Sequence, residues 1–415
     1  MKSVTAQSLK ANALHMIGGQ LTVAAAQGIQ FLLLARALGP QEFGLLAGVL
    51  AISSMLLPFS GLGAANVMIM RHAQRSDDLN LYYGNALLVA SVSSVGLIAI
   101  GVTAGVVILG HIASVALLAT ICISEILLTK IVDITAHVYY AQERHRYAGL
   151  VYSFHSLLRL AFAAGFVMSS LALTADSWAV WHAFSGLLAA GFALWLTHKQ
   201  IGPASFQPAL ALKEVRDGVF FSIGLSAKSL YTDIDKAALA RLASTEIAGA
   251  YTAAFRIIYM AATPLRAILL AGNAKFFRDG KDGLAGPMHF ANRIALIGVI
   301  YASLLAAAVW FGAPLIVIIL GHKYTLSVDM IRCLAVLPLV QIIQESYSDA
   351  LMGAGHQVAR SILQALAALL CIGLNIVLIQ QYSWHGAVYA TYITQIALTA
   401  CVVALAFAAM KKSVS

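Results

Sequence analysis

Charge is the scarcest resource of this 415-residue chain. Only 10% of its residues are Asp, Glu, Lys or Arg, while 60% are hydrophobic; soluble domains carry about 25% charged residues. That shortage excludes an ordinary soluble domain and requires lipid as the solvent for most of the chain. Cysteine is equally sparse. Cys122, Cys333, Cys371 and Cys401 all fall inside apolar runs without CxxC spacing, so they read as small buried hydrophobes rather than disulfides or metal ligands. No P-loop, GxSxG, HExxH or DxD pair occurs, and no outer loop exceeds about ten residues. ATP-driven pumping and an extracellular catalytic domain are thereby disfavoured, and no enzyme chemistry or resident cofactor is indicated. The net charge of +9 fits cytoplasmic loops rich in Lys and Arg, and no nucleic-acid partner is expected.

What remains is a series of long apolar runs. A spanning helix needs about 20 mostly apolar residues. Twelve candidates meet that need, near 12–35, 43–70, 81–109, 113–140, 147–172, 176–197, 216–240, 247–275, 289–319, 328–353, 357–380 and 385–409. The N-terminal stretch reads as an uncleaved first span rather than a signal peptide. With both termini in the cytoplasm, the inner segments hold fifteen basic residues: Lys2, Lys10, Arg71, Arg75, Arg144, Arg146, Lys199, Lys213, Arg216, Lys275, Arg278, Lys281, Arg360, Lys411 and Lys412. The outer loops hold three, Arg36, Arg241 and Lys323. The positive-inside rule favours that orientation.

Two turns look alike. "LLLARALGPQEFGLLAGVL" (32–50) and "ALARLASTEIAGAYTAAFRI" (238–257) each end an apolar run in Ala-Arg, break, offer a glutamate and restart through a glycine. Arg36 and Arg241 are 205 positions apart, Pro58 and Pro264 are 206 apart, and Arg71 and Arg278 are 207 apart. Six spans per half insert both halves in the same orientation, as in a parallel internal repeat with a site between two bundles. The expected fold is therefore all-α and membrane-integral, with twelve transmembrane helices in two six-helix bundles around a central cavity. The expected organisation is a first bundle at 1–200, a cytoplasmic linker at 201–216 and a second bundle at 217–415. The segment "GPASFQPALALKEVRDG" (202–218) supplies the linker's prolines and mixed charges. Pro58 and Pro264 are expected to kink their spans.

Ionisable residues inside spans cost about 2.5–3.5 kcal/mol each on insertion scales and tend to face an interior. Glu125, Lys130, Asp133 and His137 fall on the fourth span; Tyr152, His155 and Arg159 on the fifth; Lys228, Tyr231 and Asp235 on the seventh. Arg256, Tyr259, Thr263 and Arg266 form one stripe on the eighth, and Gln341, Glu345 and Asp349 follow at i,i+4 on the tenth. Arg159, Lys228 and Arg256 lie nearest mid-span and point to an anionic substrate, phosphate above all, with Tyr259 and Arg266 completing a polar stripe. Glu125, Asp133, Asp235 and Glu345 are candidates for a coupling proton or Na⁺, or else neutralise those cations. Lys130–Asp133 and Asp233–Lys236 also read as local salt pairs. His155 and His182 read as satisfied core histidines.

The stretch "LLLARALGPQEFGLLAGVLAISSMLLPFSGLG" resembles the opening signature of polysaccharide-repeat (O-antigen and exopolysaccharide) flippases of the multidrug/oligosaccharidyl-lipid/polysaccharide exporter superfamily. "DKAALARLASTEIAGAYTAAFRI" is similar to that family's turn between helices seven and eight, and residues 352–391 resemble its region from helix ten to twelve. The resemblance implies two six-helix bundles around a central cavity. It also implies a cargo of undecaprenyl-pyrophosphate-linked oligosaccharide, moved from the inner to the outer face of the bacterial inner membrane. A polysaccharide polymerase and export machinery are the implied partners, beside membrane lipid. A drug or cation antiporter of the same superfamily would share this fold. A lipid II flippase fits less well, since those usually have fourteen helices, and a membrane-embedded glycosyltransferase or polymerase lacks its paired acids here.

Overall fold

The computed structural model describes residues 6–74 and 79–414, and every regular element among them is a helix. Of the basic loop residues, Lys2 and Arg75, and the side chains of Lys10, Arg216 and Lys412, lie outside this description. In lipid every backbone N–H and C=O must be satisfied within the segment, which a helix does and an isolated strand does not. The apolar faces left over point outward. Val107, Phe311 and Ile318 stand exposed on their helices, where lipid would cover them.

The chain divides into two compact units. One comprises Met1–Leu38 with Val49–Ser226, the other Gly39–Gly48 with Ala227–Ser415. The first is built from α1 (Ala6–Leu56), α2 (Ala64–Gln74), α3 (Leu79–Leu109), α4 (Val115–Cys122), α5 (Thr129–Ala141), α6 (His145–Met168) and α7 (Ala175–Ile201), with the start of α8 (Pro208–Leu242). The second holds the rest of α8, then α9 (Thr245–Ala261), α10 (Thr263–Asp279), α11 (Ala285–Gly312), α12 (Leu315–Leu320), α13 (Leu326–Leu334), α14 (Leu337–Gly353), α15 (Gln357–Tyr382) and α16 (Trp384–Val414).

Read in chain order, both units repeat one plan of six membrane helices, the second of them broken at a proline. Pro58 lies in a tight turn between α1 and α2, and Pro264 opens α10 directly after the break at Ala262. Both prolines sit at a first helical turn, where their missing N–H leaves no bond unmade. Among the described residues, nine stretches are long and apolar enough to cross a membrane. Gly18–His72 contains two of the expected spans, divided at Gly39, whose φ of 70° only glycine adopts without strain. The expected spans 216–240 and 247–275 are absent from the nine. The first is rich in charge, and the second is not one helix but α9 and α10, of 17 residues each.

The expected linker at 201–216 is also shorter in the structure. Only residues 202–207 are non-helical; α8 starts at Pro208 and runs through the boundary between the units. The connector is held by its neighbours rather than left slack. Asn80 Nδ2 donates to the Ile201 carbonyl at 3.4 Å, and the Gln207 N–H donates to Asn85 Oδ1 at 2.9 Å.

The repeated glycines meet each other. A Cβ on Gly44 would overlap the Thr245 carbonyl oxygen and crowd the Gly249 nitrogen. A Cβ on Gly249 would overlap the Pro40 carbonyl and crowd the Gly44 nitrogen. Like Arg36 and Arg241, these two are 205 positions apart. The stretch from Gly39 to Gly48 thus lies backbone to backbone on the start of α9, and the second unit includes it for that reason.

Candidate functional site

In the first unit the site begins with a defect in a helix. Between α4 and α5, residues Ile123–Leu128 form one wide π-helical turn, and the Thr129 N–H bonds back to the Ser124 carbonyl five residues earlier. Such a turn frees backbone carbonyls and marks functional sites more often than chance. Here hydroxyls take them up. Ser60 Oγ and Ser94 Oγ donate to the Ile126 carbonyl at 2.8 and 3.2 Å, and Thr129 Oγ1 donates to the Ser124 carbonyl at 3.0 Å. The distortion is therefore built in, and it carries Glu125.

Glu125 Oε1 is the focus of a cluster drawn from three helices. Arg159 Nη2 on α6 donates to it at 2.7 Å, and His182 Nε2 on α7 lies 2.7 Å from the same oxygen. Arg159 Nη2 is also 3.0 Å from Thr129 Oγ1. His155 stands one turn before Arg159 on α6 and is buried, as is His182. One turn further along α5, Asp133 receives Lys130 Nζ at 3.0 Å and the Tyr152 hydroxyl at 2.8 Å, with His137 Nδ1 3.5 Å away.

The second unit arranges its charges differently. Lys228 Nζ on α8 reaches Glu345 Oε1 on α14 at 3.1 Å, with the lysine side chain about half exposed (48%). Asp235 and Lys236 are neighbours in sequence and both buried. Lys236 Nζ lies 3.0 Å from Asp235 Oδ1, 3.2 Å from Asp233 Oδ1 and 4.0 Å from the centre of the Phe255 ring. Arg256 is exposed on α9. The expected stripe Arg256–Tyr259–Thr263–Arg266 does not run down one helix, because the chain breaks at Ala262. Its ends still meet in part: the Arg266 guanidinium stacks on the Tyr259 ring at 3.1 Å.

The structure thus joins Arg159 to Glu125, Lys228 to Glu345, Arg266 to Tyr259, Asp133 to Lys130 and Asp235 to Lys236. Sequence reasoning read His182 only as a satisfied core histidine; it is buried, and it shares the acid with Arg159. The one available signal was its polarity within an apolar run, and nothing local links it to Glu125, 57 residues earlier. Among the described residues no group of three or more His, Cys, Asp or Glu is arranged to hold a metal ion.

Long apolar helices in two like-ordered sets, with ionisable clusters inside them, define a polytopic all-α membrane protein. The chain belongs to the polysaccharide biosynthesis protein family, whose pattern it matches over residues 9–270. A search of the curated proteins finds none that matches it. Among solved structures the fold recurs in a multidrug resistance MATE transporter of the MOP superfamily in its inward-facing conformation. That likeness has a TM-score of 0.75 and 15% identity, over 94% of this chain and 96% of that one. An outward-facing MATE transporter gives a TM-score of 0.62 at 14% identity, over 96% of this chain and 95% of the other. A MOP superfamily transporter from Pyrococcus furiosus, described as having a binding pocket of reversed polarity, gives 0.64 at 14% identity, over 96% and 95%.

Proposed function

We propose that this protein is an alternating-access transporter that flips an undecaprenyl-pyrophosphate-linked oligosaccharide across the bacterial inner membrane. In this reading both termini lie in the cytoplasm, and a polysaccharide polymerase and export machinery act downstream. The observation that carries the reading is the family match over residues 9–270, joined to exposed cations on membrane helices. Lys228 is half exposed, and Arg256 is exposed. Arg266 keeps its guanidinium on an aromatic face. A diphosphate meeting these groups makes charge-assisted hydrogen bonds, which a cationic drug does not. In this reading Arg159, Lys228, Arg256, Tyr259 and Arg266 serve the anionic head, Arg159 only when Glu125 releases it. Glu125, Asp133, Asp235 and Glu345 serve a coupling proton or Na⁺.

A second reading is a drug or cation antiporter, and the solved structures favour it of the two, since those of like fold include multidrug transporters. The pocket of reversed polarity in the Pyrococcus furiosus transporter supports the idea that this fold can change the charge of its cargo.

Proteoliposomes decide between them. Loaded with a fluorescent undecaprenyl-pyrophosphate oligosaccharide, they should expose the label to an impermeant quencher faster with the protein than without it. Arg256→Ala should slow that exposure while the protein stays folded and abundant. No acceleration, together with gradient-driven efflux of an organic cation, would overturn the flippase reading in favour of the antiporter.

A further inference from the structure

The cluster around Glu125 holds more polar atoms than its bonds account for. His182 Nδ1, His155 Nε2 and Arg159 Nε are all buried without a hydrogen-bond partner. Native interiors rarely leave such groups unmade, and several in one place call for a ligand or an event that uses them. The bond pattern shows which event. With Glu125 ionised, Oε1 accepts from Arg159 and from His182, so His182 carries its hydrogen on Nε2. Its other ring nitrogen, Nδ1, then keeps a free lone pair inside the protein.

The groups that face the acid are few. Arg159 and His155 come from α6, His182 from α7, and the Cys122 thiol lies nearby on α4. The α3 helix brings Ser94, which bonds the Ile126 carbonyl, and α5 brings Thr129. Arg159 and Glu125 cancel, so the cluster with neutral imidazoles is uncharged, and a proton added to His182 sits beside the carboxylate.

We propose that this cluster is a proton-binding site: one proton adds to the free ring nitrogen of His182, and its arrival loosens Arg159 from Glu125. In that step an O–H bond of a hydronium ion breaks and an N–H bond forms: the lone pair on Nδ1 takes the proton, water leaves, and His182 becomes an imidazolium. A single carboxylate then faces two cations, and the imidazolium competes with the guanidinium for Oε1. His155, one turn from Arg159, supplies an acceptor through which the proton reaches or leaves the site. The π-helical turn gives the arrangement its geometry, since it holds Glu125 between α6 and α7 with its carbonyls already satisfied. The site rests on the transporter reading only in giving the proton a use.

Histidine and arginine side chains labelled with ¹⁵N, in the full-length protein in lipid nanodiscs without cargo, supply the test. The His182 ring signals, identified by their loss in His182→Asn and in His182→Gln, should change from neutral to doubly protonated between pH 8 and pH 5. The Arg159 Nη signal should move with the same midpoint. Glu125→Gln should weaken proton uptake by His182 tenfold or more, the usual effect of an opposite charge at this range. Glu125→Asp, which keeps the charge, should restore part of it. A merely structural ion cluster moves neither signal, and a His182 ring that stays neutral from pH 9 to pH 5 in the wild-type protein would overturn the proposal. Because no cargo is present, the outcome is independent of what the protein carries: a titrating His182 with no oligosaccharide flipping removes the flippase reading alone.

Discussion

The two units handle buried charge in opposite ways. In the first, Glu125 is held by Arg159 and His182, residues 34 and 57 positions away on two other helices. In the second, Asp235 is held by the residue beside it, and Lys236 returns to Asp233 within the same helix. A tertiary cluster breaks when its helices shift, whereas a local pair travels with its helix. The first unit has therefore tied its charges to the mutual position of α5, α6 and α7. The second neutralises Asp235 largely from within its own helix, and its pair between helices, Lys228 with Glu345, lies at a half-exposed lysine.

That contrast is sharpest in Arg159→Ala. It strands Glu125 with His182 alone, and removing one partner of a buried ion pair typically costs about 3–5 kcal/mol. Thermal unfolding of the purified protein in detergent should show a large fall. Adding Glu125→Gln should recover much of it, because glutamine still accepts from His182. If Arg159→Ala unfolds like wild type, the tertiary cluster does not hold the helices.

Asp235→Asn should cost less, about 1–3 kcal/mol, the penalty for an imperfectly satisfied buried group. Lys236 keeps Asp233, and the same unfolding assay should place this variant between Arg159→Ala and wild type. A fall as large as that of Arg159→Ala would erase the distinction between local and tertiary pairing.

Tyr259→Leu removes the aromatic face under Arg266, and a partly exposed cation–π contact is worth about 0.5–1 kcal/mol. The measured shift in unfolding should be correspondingly small. Lys228→Ala should be the mildest for stability, about 0–1 kcal/mol, since its pair with Glu345 is half exposed. Flipping of the labelled oligosaccharide should nevertheless fall in Lys228→Ala. Lost stability with unchanged flipping would make this lysine a strut rather than a cargo ligand.

The helices were legible because their period and length follow from the cost of unsatisfied backbone in lipid, and Pro58 and Pro264 announced the broken ones. The pair Lys130–Asp133 was legible for a similar reason: residues three apart share a helix face. The Glu125 cluster was legible only in its members. Glu125 and Arg159 could be named as ionisable residues in lipid, but their bond depends on how α5, α6 and α7 pack, and no spacing encodes that. The π-helical turn was equally hidden, because it arises from hydroxyls on α3 and near Pro58 that compete for the Ile126 carbonyl. The stripe on the eighth span was drawn through Pro264 although a kink was expected there, and it parts at Ala262.

The meeting of Gly44 with Gly249 has a consequence for how the chain is made. A ribosome adds about 5–20 residues per second, so the segment from Gly39 to Gly48 is finished on the order of ten to forty seconds before the start of α9 exists. Throughout that interval its place of rest has not been synthesised, and it must wait beside the membrane insertion machinery. A chain stopped short of Thr245 never supplies that place, and the waiting segment then presents its bare glycine backbone to whatever quality control inspects unfinished membrane proteins.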